Sequence, residues 1–160
     1  MTDKNYDEFL ETTGAVRHFV EAINEQLLDS SCRREIKTAK SGFTVSYLSQ
    51  DTKKTVATFV CRKTGVKIRI LPQRLNEYVE FLDTLPAKMK KEIAKASACK
   101  RLANPNDCNP KCAMGYEFIM DKEHYQKCRY MAFMLSITEE SIPYIRKFLQ
   151  LDGAASKPPL

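Results

Sequence analysis

The sequence has few of the residues and none of the short motifs on which common enzyme classes depend. Its 160 residues include only five glycines and two histidines. It contains no G-x-S-x-G, no H-E-x-x-H and no glycine-rich phosphate loop, which are signatures of hydrolases, zinc proteases and nucleotide-binding proteins. Nothing in the sequence places His18 or His124 beside a thiol to form a Cys–His nucleophile pair. We therefore favour a role in binding a protein partner or a small ligand over an enzymatic one.

A long apolar run is also missing. No stretch approaches the ~20 apolar residues that a membrane helix needs, so we expect no membrane partner. The first residues, MTDKNYDEFLE, are polar and acidic, whereas a signal peptide begins with basic and then apolar residues. These features predict a cytoplasmic protein. Because that compartment is reducing, we expect the cysteines to be available for metal binding or thiol chemistry rather than paired in structural disulfides.

The first part of the chain combines helical and strand periodicities in the order expected of an α+β domain. Apolar residues at helical spacing predict an amphipathic helix over residues 13–29. From residue 43 the period changes to two, and three strands are predicted up to residue 70, the last with Val66, Ile68 and Ile70 facing inward. Consecutive strands with one wet face indicate an antiparallel meander packed on helices. Cys32 is assigned to a basic turn before this meander.

After the meander we expect two helices, a loop, a hairpin and a final helix. The second of the two helices is predicted to begin at Thr84 as N-cap, with Pro86 in its first turn. Residues 100–115 are rich in Asn, Pro and Asp and predict a loop. Strands are expected at residues 116–120 and about 125–135, and a last helix begins near residue 138 with Pro143 in its first turn.

The domain organisation follows from this order of elements. We expect residues 1–152 to form a single α+β domain, since a chain of this length suits one core. Residues 153–160 are expected to be a flexible tail.

Four of the six cysteines fall in or beside the predicted loop, with the spacing C-x8-C-x3-C-x15-C. Thiolates from a Pro-bent loop and its flanking elements can supply the tetrahedral sulfur ligands that zinc prefers. The sequence therefore predicts a structural metal site held by Cys99, Cys108, Cys112 and Cys128. Zinc is favoured over an iron–sulfur cluster. His124 is an alternative ligand in place of one cysteine.

Two other interpretations of these cysteines stay open. One is a mixture of buried and free thiols, because the sequence has no C-x2-C pair of the kind that makes zinc motifs specific. The other is a thiol-based redox protein in which Cys108 and Cys112 exchange between dithiol and disulfide.

The positive charge of the chain raises the alternative of a nucleic-acid-binding protein. The formal net charge is +6, which supports salt-sensitive attraction to polyanions. A binding face would use Lys67, Arg69 and a lysine-rich helix. The other interpretation of that helix is an ordinary solvated face, formed by Lys88, Lys90, Lys91, Lys95, Lys100 and Arg101.

Two parts of the chain carry resemblances to known proteins. The meander TVSYLSQDTKKTVATFVCRKTGVKIRI with the following EYVEFLDTLPAKMKKEI resembles small bacterial α+β domains and is loosely similar to the frataxin-like iron-chaperone group. This resemblance implies a self-contained antiparallel sheet backed by helices. The stretch GYEFIMDKEHYQKCRYMAFML resembles conserved proteins of anaerobic Gram-positive bacteria. Neither resemblance assigns a functional residue, since the outer sheet face is predicted to be basic rather than acidic.

Overall fold

The computed structural model describes residues 4–39, 42–62, 65–99 and 115–153, and these residues form an α+β fold. Within them a five-stranded antiparallel sheet has the order β1-β2-β3-β4-β7. Its strands are β1 (Cys32–Ala39), β2 (Gly42–Ser49), β3 (Thr55–Arg62), β4 (Gly65–Ile70) and β7 (Met134–Ser136). A separate hairpin consists of β5 (Tyr116–Met120) and β6 (Glu123–Lys127). The predicted fold class and the meander are thereby confirmed.

The inner face of the sheet contains a row of apolar side chains that crosses four strands. Val45, Phe59, Ile68 and Leu135 lie directly opposite one another on β2, β3, β4 and β7, and all four are fully buried. Tyr47 packs edge-on against Phe59, with ring centroids 5.7 Å apart. Such directly opposed side chains are the units that stabilise a sheet. The alternation predicted for β4 is confirmed.

Helices complete the core on this inner face. They are α1 (Lys4–Thr12), α2 (Arg17–Asp29), α3 (Ala87–Lys95) and α4 (Ile142–Leu151), with short 3₁₀ helices at Gly14–Val16, Leu75–Glu77 and Val79–Thr84. Their buried apolar residues and those of the strands form one continuous cluster. Among the described helices, none is both long enough and apolar enough to cross a membrane.

Strand β1 corrects the prediction that Cys32 lies in a basic turn. All eight residues of β1 pair with β2, and the Cys32 side chain is buried. The strand was missed because Arg34 occupies an inward position, where apolar residues are expected. Its guanidinium is accommodated by a 2.9 Å bond to the Asn24 Oδ1 and by the ring of Tyr6, whose centroid is 3.8 Å away.

The strand predicted over about 125–135 is wrong as a single element. Strand β6 ends at Lys127, a turn follows, and β7 then joins the main sheet beside β4. The turn forms because the Cys128 carbonyl accepts hydrogen bonds from the amides of Met131 and Ala132, at 3.0 and 2.8 Å. The chain therefore leaves the hairpin and crosses to the central sheet within six residues.

The helix boundaries differ from the predictions at four places. The helix predicted over residues 13–29 begins as a 3₁₀ helix and becomes α-helical only at residue 17. The stretch after β4 forms 3₁₀ helices rather than an α-helix. The Thr84 hydroxyl donates to the Phe81 carbonyl at 2.7 Å, and Pro86 is the N-cap of α3. Pro143 lies in the first turn of α4, as predicted, although that helix begins at Ile142. Most of the predicted tail lies outside the described residues, which end at Gly153.

Candidate metal centre

The chain on either side of residues 100–114 meets at a short antiparallel pairing. Ala98 forms a β-bridge with Lys127. The Cys99 amide donates to the Gln126 carbonyl at 2.9 Å, and the Cys128 amide donates to the Ser97 carbonyl at 2.7 Å. In this register Cys99 and Cys128 are diagonal neighbours on the same face. Diagonal neighbours are about 7–8 Å apart between Cα atoms, a separation that two cysteines with Zn–S bonds of about 2.3 Å can bridge.

Gly115, which follows residues 100–114, lies against Cys99. Its amide donates a 3.2 Å hydrogen bond to the Cys99 Sγ. There is no room for a side chain here, because a Cβ on Gly115 would overlap the Lys127 carbonyl oxygen and come within 2.7 Å of the Cys99 Cβ. The amide contact orients the sulfur, as outer hydrogen bonds do at metal sites. Residues 99 and 115 therefore lie side by side.

Of the four predicted ligands, Cys99 and Cys128 lie at neighbouring backbone positions, while Cys108 and Cys112 lie outside the described residues. Cys99 is buried and Cys128 is half-buried, and neither is in a disulfide. Within residues 4–39, 42–62, 65–99 and 115–153, no three His, Cys, Asp or Glu side chains are grouped so as to hold a metal ion. The described part of the chain thus contains one half of the predicted ligand set.

His124 is engaged away from the two sulfurs. Its Nε2 is 2.9 Å from the carboxylate of Glu117 on the neighbouring strand, and both side chains are exposed. The same carboxylate accepts a hydrogen bond from the side-chain amide of Gln126. The bonds from Gln126 and His124 lower the pKa of Glu117 below its usual value, and Gln126 has the larger effect. His124 precedes Cys128 by four residues, about 13 Å along a strand. It is therefore poorly placed as a substitute ligand.

The remaining described cysteines are separate from this group. Cys32 begins β1, where burial raises the pKa of its thiol above the usual value, so the unreactive thiol form dominates at neutral pH. Cys61 is a buried residue of β3, as expected of a small apolar side chain. Neither residue takes part in the backbone pairing of residues 97–99 with residues 126–128.

Lys127 links the end of α3 to the backbone pairing of residues 97–99 with residues 126–128. Its Nζ donates to the carbonyls of Ala94 and Ala96, at 2.7 and 2.9 Å. These are carbonyls at the C-terminal end of α3, where a cation stabilises the last turn. Positions 97–99 are therefore held between a capped helix and β6.

The lysines considered for a nucleic-acid interface are partly neutralised. Lys67 lies 3.5 Å from the Glu92 carboxylate, and Lys90 lies 2.9 Å from that of Asp121. Comparisons with family models, with curated proteins and with solved structures give no match for this chain. The similarity to the frataxin-like group therefore stays a prediction.

Proposed function

We propose that this protein is a binding domain, not an enzyme, in which Cys99, Cys108, Cys112 and Cys128 hold a structural zinc ion. The observation that carries the proposal is the diagonal placement of Cys99 and Cys128 across the Ala98–Lys127 bridge, together with the bond from the Gly115 amide to the Cys99 sulfur. Two neighbouring cysteines are half of the tetrahedral ligand set that closed zinc sites use.

Chain length supports the participation of the other two cysteines. Cys112 precedes Gly115 by three residues, so its Cα lies within about 11 Å of the Gly115 Cα at any extension of the chain. Gly115 itself contacts Cys99. Cys108 lies four residues before Cys112 in a segment whose two ends are already held together. Little further loop-closure entropy is then needed to bring both sulfurs to the first pair.

A metal at this point would organise the chain that leads to the sheet. Cys128 opens the turn that carries Arg129 and Tyr130 and ends at β7. Coordination would fix this turn and would contribute the free energy of metal binding to folding. The proposed role of the zinc is therefore structural, and the binding role belongs to the surface that the turn helps to form.

Elemental analysis of protein purified without chelators tests the proposal. We expect one equivalent of zinc in the wild type and in the Cys32→Ala control, and loss of that zinc in Cys108→Ser and Cys112→Ser. Iron and acid-labile sulfide found in equal amounts would mean that the cysteines hold an iron–sulfur cluster instead of zinc. A wild type that is free of metal, and whose melting temperature does not change on adding Zn²⁺, would refute the site.

Cobalt(II) substitution provides a second readout that does not depend on stability. Thiolate coordination gives sulfur-to-cobalt charge-transfer absorption, and we expect its intensity to fall in each of the four single Cys→Ser variants. The Cys32→Ala control should keep the full spectrum. Equal spectra for wild type and Cys128→Ser would mean that Cys128 is not a ligand.

A further inference from the structure

The two edges of the main sheet differ in length and in what lies against them. Strand β7, at one edge, has three residues, and the Glu92 carboxylate of α3 accepts a hydrogen bond from its Ser136 amide at 3.2 Å. Strand β1, at the other edge, has eight residues. Within the described part of the chain no strand pairs with the outer side of β1. An open edge of this length is a template for a further strand.

The hydrogen-bond alternation along β1 shows which residues offer main-chain groups at this open edge. Directly before the strand, the Gln50 amide donates to the Ser31 carbonyl at 3.0 Å. Hydrogen-bonded and non-hydrogen-bonded positions alternate in an antiparallel pair, so the odd-numbered residues of β1 bond to β2. The even-numbered residues therefore point their amides and carbonyls outward. These residues are Cys32, Arg34, Ile36 and Thr38.

The side chains of β1 are sorted by face. Ile36 lies opposite the fully buried Val45 and is partly buried against the core, so it belongs to the inner face. Because successive side chains of a strand alternate between faces, Arg33, Glu35 and Lys37 belong to the outer face. A strand added at this edge would therefore meet two cations and one carboxylate on its outer face and an isoleucine on its inner face.

A second copy of the chain fits this edge when a two-fold axis perpendicular to the sheet passes beside Ile36. Such an axis sets two β1 strands antiparallel and makes the interface self-complementary. Each Glu35 then lies opposite the Lys37 of the second copy, and the two Ile36 side chains meet on the inner face. Arg34 lies opposite Thr38, so the even-numbered residues of both strands exchange about six main-chain hydrogen bonds. Opposite charges directly across a sheet stabilise the pairing.

Neighbouring registers place like charges opposite one another, which destabilises a sheet. With the axis at Arg34, the two Arg34 residues are directly opposed. With the axis at Glu35, that carboxylate faces its own copy, and Arg33 faces Lys37. With the axis at Lys37, the two Lys37 residues are directly opposed. The pattern of charges along β1 therefore favours the register centred on Ile36.

We propose that the protein forms a two-fold symmetric dimer in which the β1 strands of two copies join their main sheets into one continuous antiparallel sheet. Main-chain hydrogen bonds hold the strands together, and two pairs of Glu35 with Lys37 fix the register. The bond between Arg33 and Glu35 within one copy, at 2.8 Å, is compatible with this contact, because a carboxylate accepts several hydrogen bonds. The dimer does not depend on the metal, so elemental analysis and molecular mass test the two proposals separately.

Sedimentation equilibrium of the full-length protein tests the dimer with charge-reversal variants. We expect the wild type to dimerise with a Kd below about 100 μM. Glu35→Lys and Lys37→Glu should each weaken the dimer at least about tenfold, because each change places two like-charged pairs across the interface. Lys147→Glu, which reverses an exposed charge on α4, is the matched control and should dimerise as the wild type does.

Mixing the two variants tests the register itself. In a dimer of one Glu35→Lys chain with one Lys37→Glu chain, both cross-strand pairs again join opposite charges. We therefore expect the equimolar mixture to associate within about threefold of the wild-type affinity. Thr38→Pro supplies a test through the main chain, because it removes an amide that points to the open edge, where proline is tolerated. This variant should be folded by circular dichroism and monomeric.

Several results would overturn the proposal. A wild type that remains monomeric at about 1 mM would remove the dimer. Equal dimerisation of the wild type and of folded Glu35→Lys, Lys37→Glu and Thr38→Pro would mean that another surface joins the two copies. A dimer that Lys37→Glu strengthens, or a mixture of the two charge variants that stays monomeric, would contradict the register centred on Ile36.

Discussion

The carboxylate of Asp152 ties the end of α4 to the chain that follows β4, and its removal gives the sharpest stability prediction. The Asp152 oxygens accept hydrogen bonds from the Gln73 amide at 2.9 and 3.0 Å and from the Arg74 amide at 2.8 Å. They also accept one from the Tyr78 hydroxyl at 2.7 Å. The residue is 8% exposed. We expect Asp152→Ala to destabilise the protein strongly.

The loss in the free energy of unfolding depends on how well water can replace the carboxylate at each hydrogen-bond donor. Hydrogen bonds to a charged group contribute about 1.5–3 kcal/mol each. Gln73 and Arg74 are exposed residues, so water replaces much of what their amides lose. The Tyr78 hydroxyl is partly buried and keeps more of its penalty. The net loss for Asp152→Ala is therefore about 3 kcal/mol rather than the full sum, while Tyr78→Phe costs about 1 kcal/mol.

Urea unfolding of the wild type, the two single variants and the double variant measures these values. The double variant should be more stable than the sum of the single losses implies, by about 1 kcal/mol, because both changes remove the same bond. If the m-values of the variants equal that of the wild type, the change in the free energy of unfolding arises in the folded state and not in the unfolded state. A loss below about 0.5 kcal/mol for Asp152→Ala would refute this account of the carboxylate.

Three further variants or conditions test other parts of the fold. Gly115→Ala should cost about 2–3 kcal/mol because its Cβ would overlap the Lys127 carbonyl. Thermal unfolding measures this loss, and a loss below about 0.5 kcal/mol would contradict the close contact. Lys127→Met keeps the aliphatic stem but removes the bonds to α3, so unfolding should become easier by about 1 kcal/mol; no change would mean that this cap is unimportant. Burial raises the pKa of Tyr6 to about 12 and also raises the pKa values of Tyr47 and Tyr78. Because these phenols ionise at a lower pH in the unfolded chain, the free energy of unfolding keeps their full contribution below about pH 10. It loses that contribution as the pH rises through about 12. Urea unfolding of wild type and Tyr47→Phe between those pH values should show a shallower decline for the variant, and parallel curves would contradict the burial effect.

Local pattern predicted the elements whose faces differ clearly in polarity. Strand β4 was predictable because Val66 and Ile68 alternate with Lys67 and Arg69, and only one face enters the core. The last helix was predictable because its apolar residues recur at helical spacing and Pro143 marks its start. Strand β1 was not predictable in the same way, since it has charged residues on the outer face and Arg34 on the inner one.

Long-range pairings decided the remaining features. The bridge between Ala98 and Lys127 depends on how α3 ends beside β6, and no local pattern reports it. Cysteine spacing indicated a site but not that Cys99 and Cys128 would be diagonal neighbours. The bond from the Arg69 guanidinium to the Tyr130 carbonyl was equally unpredictable, because the two residues are 61 positions apart in the chain.

The most direct test of the central claim is X-ray absorption at the zinc K-edge of protein reconstituted with one equivalent of Zn²⁺. We predict a single shell of four sulfur atoms at about 2.3 Å, reduced to three sulfurs in Cys128→Ser and unchanged in Cys32→Ala. A first shell of oxygen and nitrogen atoms alone, or a protein that retains no zinc after desalting, would contradict the four-cysteine centre.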